Sequence, residues 1–239
     1  RSAEDLPRLV IASDNYKPYS YVGSNGNLIG VDVDLATEAC RRLGYAPEFC
    51  QIVWENKDTY LSSGQADCLW GSFTMTGRED LYQWAGPYLY SRQMVAVRAN
   101  SDIHTLADLA GRRVAVQATG KPEALFLTSS APGVSQVEAV YAFSTMDEVY
   151  ACLRKGYADA IAGHENALRL FLDSSPGSYR MLDETLDVSQ LGVAFQKDTH
   201  KELAQALTQT LAEMESDGTT RAILTRYGLD ADRALGVTP

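Results

Sequence analysis

Histidine and cysteine are scarce in this chain. Its 239 residues hold three His and four Cys (Cys40, Cys50, Cys68 and Cys152), with no CxxC spacing among them. That set offers no paired thiolate ligands, so no zinc centre or other cofactor is expected. The cysteines read as free thiols buried as small hydrophobes. Cys40 and Cys50 flank a helix-to-strand turn and are the pair a local disulfide would use. Long apolar runs are missing too, and none approaches the roughly 20 residues that span a bilayer. Positive charge is in deficit: 21 Lys and Arg stand against 31 Asp and Glu, a net charge of -10. Phosphate backbones are bound by clustered basic residues, so no nucleic-acid partner is expected. A small anionic ligand stays open, because salt screens distant surface charge over about 8–10 Å. No nucleophile–base pair stands out, and nothing repetitive or adhesive points to a structural role. The first residues, Arg1-Ser-Ala-Glu-Asp, are polar and read as a mature or trimmed terminus.

Apolar residues make up 45% of the chain and charged residues 22%, the balance of a soluble globular protein. The length suits one large domain or two modest ones. Residues 8–13 predict a strand followed by a loop, and Asn-Gly within 24–27 predicts a turn. From Asp32 to Leu43 the apolar positions Val33, Ala36, Ala39, Cys40 and Leu43 share a helical face, closed by Gly44. A strand over 47–53, a short helix over 57–63 and a strand over 66–70 complete a β-α-β-α-β order. That order implies parallel strands and right-handed crossovers. It recurs after a strand over 93–98 and a short helix over 106–110 capped by Thr105. Strands over 113–117, 134–140 and 158–162 then alternate with helices over 122–130, 144–155 and 164–172. A strand over 192–197 and helices over 201–217 and 219–227 end the pattern. The architecture expected is two α/β lobes with a C-terminal helical return, and a cleft between lobes is the default ligand site.

One stretch carries the densest chemistry, Cys68 to Tyr88. A short apolar run breaks at Gly71, then Ser72, Thr74 and Thr76 lead to Arg78. Ligands of open α/β sheets sit beyond the carboxyl ends of strands. Hydroxyls and a guanidinium fork delivered there suit a carboxylate, which Arg holds bidentately.

Seven segments occur in order along the chain. They are Leu-Ile-Gly-Val-Asp-Val-Asp-Leu (28–35), Gln-Ala-Asp-Cys (65–68), Thr-Met-Thr-Gly-Arg (74–78), Gly-Pro-Tyr (86–88), Leu-Ala-Asp-Leu-Ala-Gly-Arg-Arg-Val-Ala-Val-Gln (106–117), Gly-Tyr-Ala-Asp-Ala (156–160) and Glu-Ser-Asp-Gly-Thr (215–219). The ordered set resembles the periplasmic (extracellular) solute-binding proteins of family 3, the polar amino-acid ABC-transporter class. The resemblance implies an α/β type II periplasmic-binding-protein fold. Lobe 1 would span 1–93 with 193–239 returning to it, lobe 2 would span 94–192, and strands near Ser91–Val95 and Ser189–Ala194 would form a two-strand hinge. It further implies a monomer, periplasmic or extracellular, with or without a membrane anchor. The ligand would be an amino acid or small carboxylate, and the partner an ABC permease or a signalling protein in the membrane.

The same resemblance implies a site. Arg78 would clamp the ligand carboxylate, although the loop reads Thr-Gly-Arg where the family has Thr-Pro-Glu-Arg. Thr74 would donate to that carboxylate and Ser72 would contact the α-amino group. Asp14 would meet the ligand side chain or amino group, with Tyr16 and Trp54 sandwiching it. In lobe 2, Thr119, Gly120 and Lys121 open the helix after the Val-Gln strand, where a helix N-terminus attracts anions. Lys121 replaces a threonine and either meets a second ligand carboxylate or points to solvent. The largest departure is His164, where the family places an aspartate for the α-ammonium; neutral imidazole accepts one hydrogen bond without charge, and Glu165 is adjacent. Three readings of function stay open: an uptake binding protein, the ligand-binding sensor domain of a membrane signalling protein such as a histidine kinase, and a cyclohexadienyl dehydratase-like enzyme using His164 or Glu165 as acid or base. A sensor would continue past Pro239 into a transmembrane helix.

Overall fold

A computed structural model describes residues 6–237. The polar start Arg1–Asp5 and any continuation past Pro239 lie outside the described residues. The chain divides into two compact units. One holds the residues up to Tyr90 together with those from Gln190 onward, the other Ser91–Ser189.

In the first unit, β1 (Arg8–Ser13) buries Leu9 and Ile11 to Ser13. The loop after it leads to a small hairpin, β2 (Tyr21–Val22) and β3 (Leu28–Ile29), turned at the expected Asn-Gly. Helix α1 (Val31–Leu43) buries Val33, Leu35, Ala36, Ala39 and Cys40 and ends at Gly44, whose φ of 76° is the left-handed C-cap that glycine adopts without steric cost. Strand β4 (Ala46–Gln51), helix α2 (Lys57–Ser62) and β5 (Cys68–Leu69) follow. Both β4 and β5 pair parallel to β1, as the β-α-β-α-β order demands. A long strand, β6 (Gln83–Arg98), then runs out of this unit into the second.

The second unit continues through β7 (Arg113–Gln117), α3 (Lys121–Leu127), β8 (Ala139–Phe143), α4 (Met146–Arg154), β9 (Ala160–His164), α5 (Glu165–Asp173) and β10 (Tyr179–Met181). Strands β8, β7 and β9 are parallel neighbours, β6 lies antiparallel to β9, and β10 lies antiparallel to β6. The core under it joins Val95, Val97, Leu109, Val114, Val116, Ala160 and Ala162. The helix expected over 106–110 is a 3-10 turn, Leu106–Leu109, with the Thr105 capping box in place. The strand expected over 134–140 is displaced to β8. Val134, Val137 and Val140 are half-buried against the core, and the first two sit in a loop, so they supply apolar contacts without a ladder.

Helix α4 shows how local chemistry sets a boundary. The Thr145 N–H donates to Glu148 at 3.0 Å and the Glu148 N–H donates to Thr145 Oγ1 at 3.3 Å, a reciprocal capping box. Thr145→Ala is expected to cost about 1 kcal/mol, read as a lower denaturant midpoint at unchanged slope. An unmoved midpoint would show that the cap contributes nothing.

The chain returns to the first unit along β11 (Asp187–Phe195), which pairs antiparallel with β5 through Ala194↔Leu69. Helices α6 (Lys201–Ser216), α7 (Thr219–Arg226) and α8 (Ala231–Ala234) come last, and α6 and α7 pack on α1. No helix among the described residues is long and apolar enough to cross a membrane. The four cysteines are free, three of them buried and Cys50 half-buried.

Candidate functional site

The loop leaving β5 is held at every step. Gly71 lies against β1: a Cβ there would stand 2.8 Å from Ser13 Cβ and 3.7 Å from Asp14 Oδ1, so the two loops touch through a position that only glycine fits. Ser72 turns the chain with a φ of 45°, left-handed for a non-glycine residue. Its N–H donates to Asp32 Oδ2 at 2.6 Å, and the Tyr88 hydroxyl donates to Asp32 Oδ1, also at 2.6 Å. Beyond Ser72 the loop is stitched to β11. Gly192 N–H donates to the Phe73 carbonyl at 3.0 Å, Met75 N–H to the Gln190 carbonyl at 2.8 Å, and Gln190 N–H to Thr76 Oγ1 at 2.9 Å. Thr74 is bridged to Leu191.

Arg78 folds back over this loop. One guanidinium nitrogen donates to the Thr74 carbonyl at 3.1 Å, and the group lies 5.5 Å from the Phe73 ring centre. Burial pulls its pKa below the ordinary arginine range. Trp54 stands edge-on to the same Phe73 at 4.9 Å, with Lys57 Nζ 5.4 Å from the Trp54 ring. Tyr16, buried, meets Tyr19 edge-on at 6.4 Å and pairs its backbone with Ser20. In the first unit the fold thus links Ser72, Thr74, Arg78 and Trp54 through Phe73, with Asp14 alongside Gly71.

Asp32 lies within the 28–35 segment, where the local pattern gives it no role. It is 1% exposed. Gly30 places it: at φ 138° a side chain there would meet the Tyr19 carbonyl at 2.2 Å, so α1 starts pressed against the 18–20 loop. Burial pushes the Asp32 carboxyl up to about 7, and the neighbouring Asp14 adds to this. The hydrogen bonds from Tyr88 and Ser72 pull the other way. Burial, and then the Asp32 charge, raise the Tyr88 hydroxyl well above its ordinary range, which keeps it a donor.

In the second unit Thr119, Gly120 and Lys121 form the turn between β7 and α3. Thr119 has a φ of 58°, and its N–H is held by the Glu123 carboxylate. Gly120 is the N-cap, Lys121 the first helical residue and Pro122 the next. His164 ends β9 and caps α5. Its Nδ1 lies 2.6 Å from Ser91 Oγ and 3.3 Å from Gln93 Nε2. Glu165 is buried and ion-paired with Arg169 at 2.7 Å.

The mixed α/β fold is that of type II periplasmic binding proteins. A solved structure of Tv2483 bound to L-arginine superposes with a TM-score of 0.86 at 28% identity, over 97% of this chain and 94% of that one. An arginine-binding protein of T. maritima, solved as a mutant, superposes with a TM-score of 0.81 at 26% identity, over 92% and 94%. Residues 9–230 match the bacterial extracellular solute-binding proteins, family 3, and the chain belongs to that family, the class that serves polar amino-acid ABC transporters. Similar relatives include the L-cystine-binding protein TcyJ of Escherichia coli K12, 26% identical over 94% of this chain and 84% of the relative. The histidine-binding periplasmic protein of Salmonella typhimurium is 28% identical over 89% and 84%.

Proposed function

We propose that this chain captures a polar amino acid, or a close carboxylate relative, between its two units and delivers it to an ABC permease outside the cytoplasm. The observation that carries this reading is the Ser72–Arg78 loop, with its buried hydroxyls and a desolvated guanidinium held in place by Asp32 and β11. Pre-organised donors bind a carboxylate without a large ordering cost. Relatives named for cystine, histidine and arginine support an amino-acid ligand. Arg78 takes the carboxylate with Thr74, and Ser72 and Asp14 face the amino end. Tyr16 and Trp54 flank the ligand, and Thr119, Gly120, Lys121 and His164 meet it from the second unit. Closure pivots on β6 and β11, the strands that run through both units.

A thermal-shift panel tests this. L-Arginine, L-histidine, L-cystine and L-glutamine are compared with their deaminated analogues. At a hundred times Kd a ligand stabilises the native state by about 2.7 kcal/mol, a shift of several degrees. At least one amino acid is expected to give it; a flat panel would remove the amino-acid reading.

A further inference from the structure

Along one face of β6 stand Ser91, Gln93, Val95 and Val97, all buried. The two valines join Val114, Val116, Ala160 and Ala162 in the core. Gln93 comes one step earlier and pairs in register with His164, the last residue of β9. The apolar strip therefore turns polar at Gln93 and His164. This happens at the carboxyl end of parallel strand β9, where α/β sheets receive ligands, and β9 is the neighbour of β7, from which Thr119–Lys121 lead.

Gln93 is 1% exposed. One end of its amide, Nε2, is engaged by His164 Nδ1. The other end, Oε1, is buried with no hydrogen-bond partner among the described residues. An orphaned buried carbonyl is destabilising, and such groups in native proteins call for a reason. Turning the amide over would satisfy the oxygen at His164 and orphan the NH2 instead, so one end is left over either way. The nearby carboxylate of Glu165 is tied to Arg169.

We propose that Gln93 contacts the ligand and sets specificity in the second unit, its amide oxygen accepting from an N–H donor of the solute, most fittingly an α-ammonium. His164 holds the amide in place. This rests on the reading that the chain binds an amino acid, and it gives the amino end a neutral acceptor where the resemblance implied an aspartate.

The test uses the full chain as Gln93→Leu and Gln93→Glu, with the same panel and then calorimetry on the amino acid that stabilises the wild type. Gln93→Leu is expected to lower affinity for that amino acid tenfold or more and to change affinity for its deaminated analogue less than threefold. The ligand-free melting temperature should hold or rise, because the orphaned oxygen is gone. Gln93→Glu, which keeps an acceptor, should retain binding. Unchanged affinity in Gln93→Leu overturns the proposal. So does a fall in ligand-free melting temperature with equal losses for both ligands, the mark of a merely structural residue. A panel in which no amino acid binds the wild type removes the underlying reading, and the Gln93 contact with it.

Discussion

Arg78→Ala is expected to weaken binding of the amino acid that stabilises the wild type at least a hundredfold. Charge-assisted hydrogen bonds contribute roughly 1.5–3 kcal/mol each, and a guanidinium gives a carboxylate two. Their loss together exceeds the roughly 2.7 kcal/mol of a hundredfold change. Desolvation strengthens the case, because a charge already held out of water gives up less solvation when the ligand arrives. Arg78→Lys keeps the charge and loses the fork, so it should fall between the two. Folding should survive both changes. The loop is fixed by Asp32 and β11, and the Arg78 bond to the Thr74 carbonyl and its packing over Phe73 lie on top of that frame. Calorimetry that finds Arg78→Ala within threefold of wild type would show that the carboxylate is held elsewhere.

The second large effect is on stability against pH. The Asp32 carboxyl rises from an ordinary 3.8 to about 7 on folding, so between those values the native state binds more protons than the unfolded one. Stability from this group is fully present below about 3.8, falls as pH rises, and is lost above about 7. At about 1.4 kcal/mol per pH unit the fall amounts to roughly 4 kcal/mol. Asp32→Asn keeps an acceptor for the Ser72 N–H and removes the titration. Its unfolding free energy, measured by denaturant from pH 4 to 8, should lack this falling component and exceed the wild type most at the alkaline end. Parallel pH profiles for the two proteins would mean that Asp32 ionises as freely in the fold as in the unfolded chain.

The fold was legible where apolar pattern and pairing agree. Arg113 to Gln117 reads as a strand and is one, because Val114 and Val116 face the core between polar ends. Strand β6 was half hidden: Gly86, Pro87 and Ser91 interrupt 83–92 with residues that otherwise mark turns, so the residue pattern shows the element only at Gln93–Arg98 and the resemblance carries it back to Ser91. The start of β11 was hidden likewise: the residue pattern begins at Gly192, the resemblance reaches back to Ser189, and Asp187 and Val188 show only in the structure. Of the candidate site, the hydroxyl loop and its arginine could be named because they are contiguous. The Asp32 carboxylate spans 40 and 56 residues to Ser72 and Tyr88, and Gln93 spans 71 to His164. Tethers of that length leave no periodicity in the sequence. One trace was available, an acidic residue beside the buried face of α1, and only its burial gives it meaning.

The passage of β6 and β11 through both units has a consequence for the order of assembly. The second unit is one unbroken segment, Ser91–Ser189, so during synthesis all its strands are present once Ser189 has emerged. The first unit is begun earlier and finished later. Its sheet still lacks β11 and its α1 still lacks the cover of α6 and α7 until the last stretch is made. The half of the chain that carries Arg78 therefore waits, incomplete, for the half that carries Gln93, and its loop gains the contacts with Gln190 and Leu191 last.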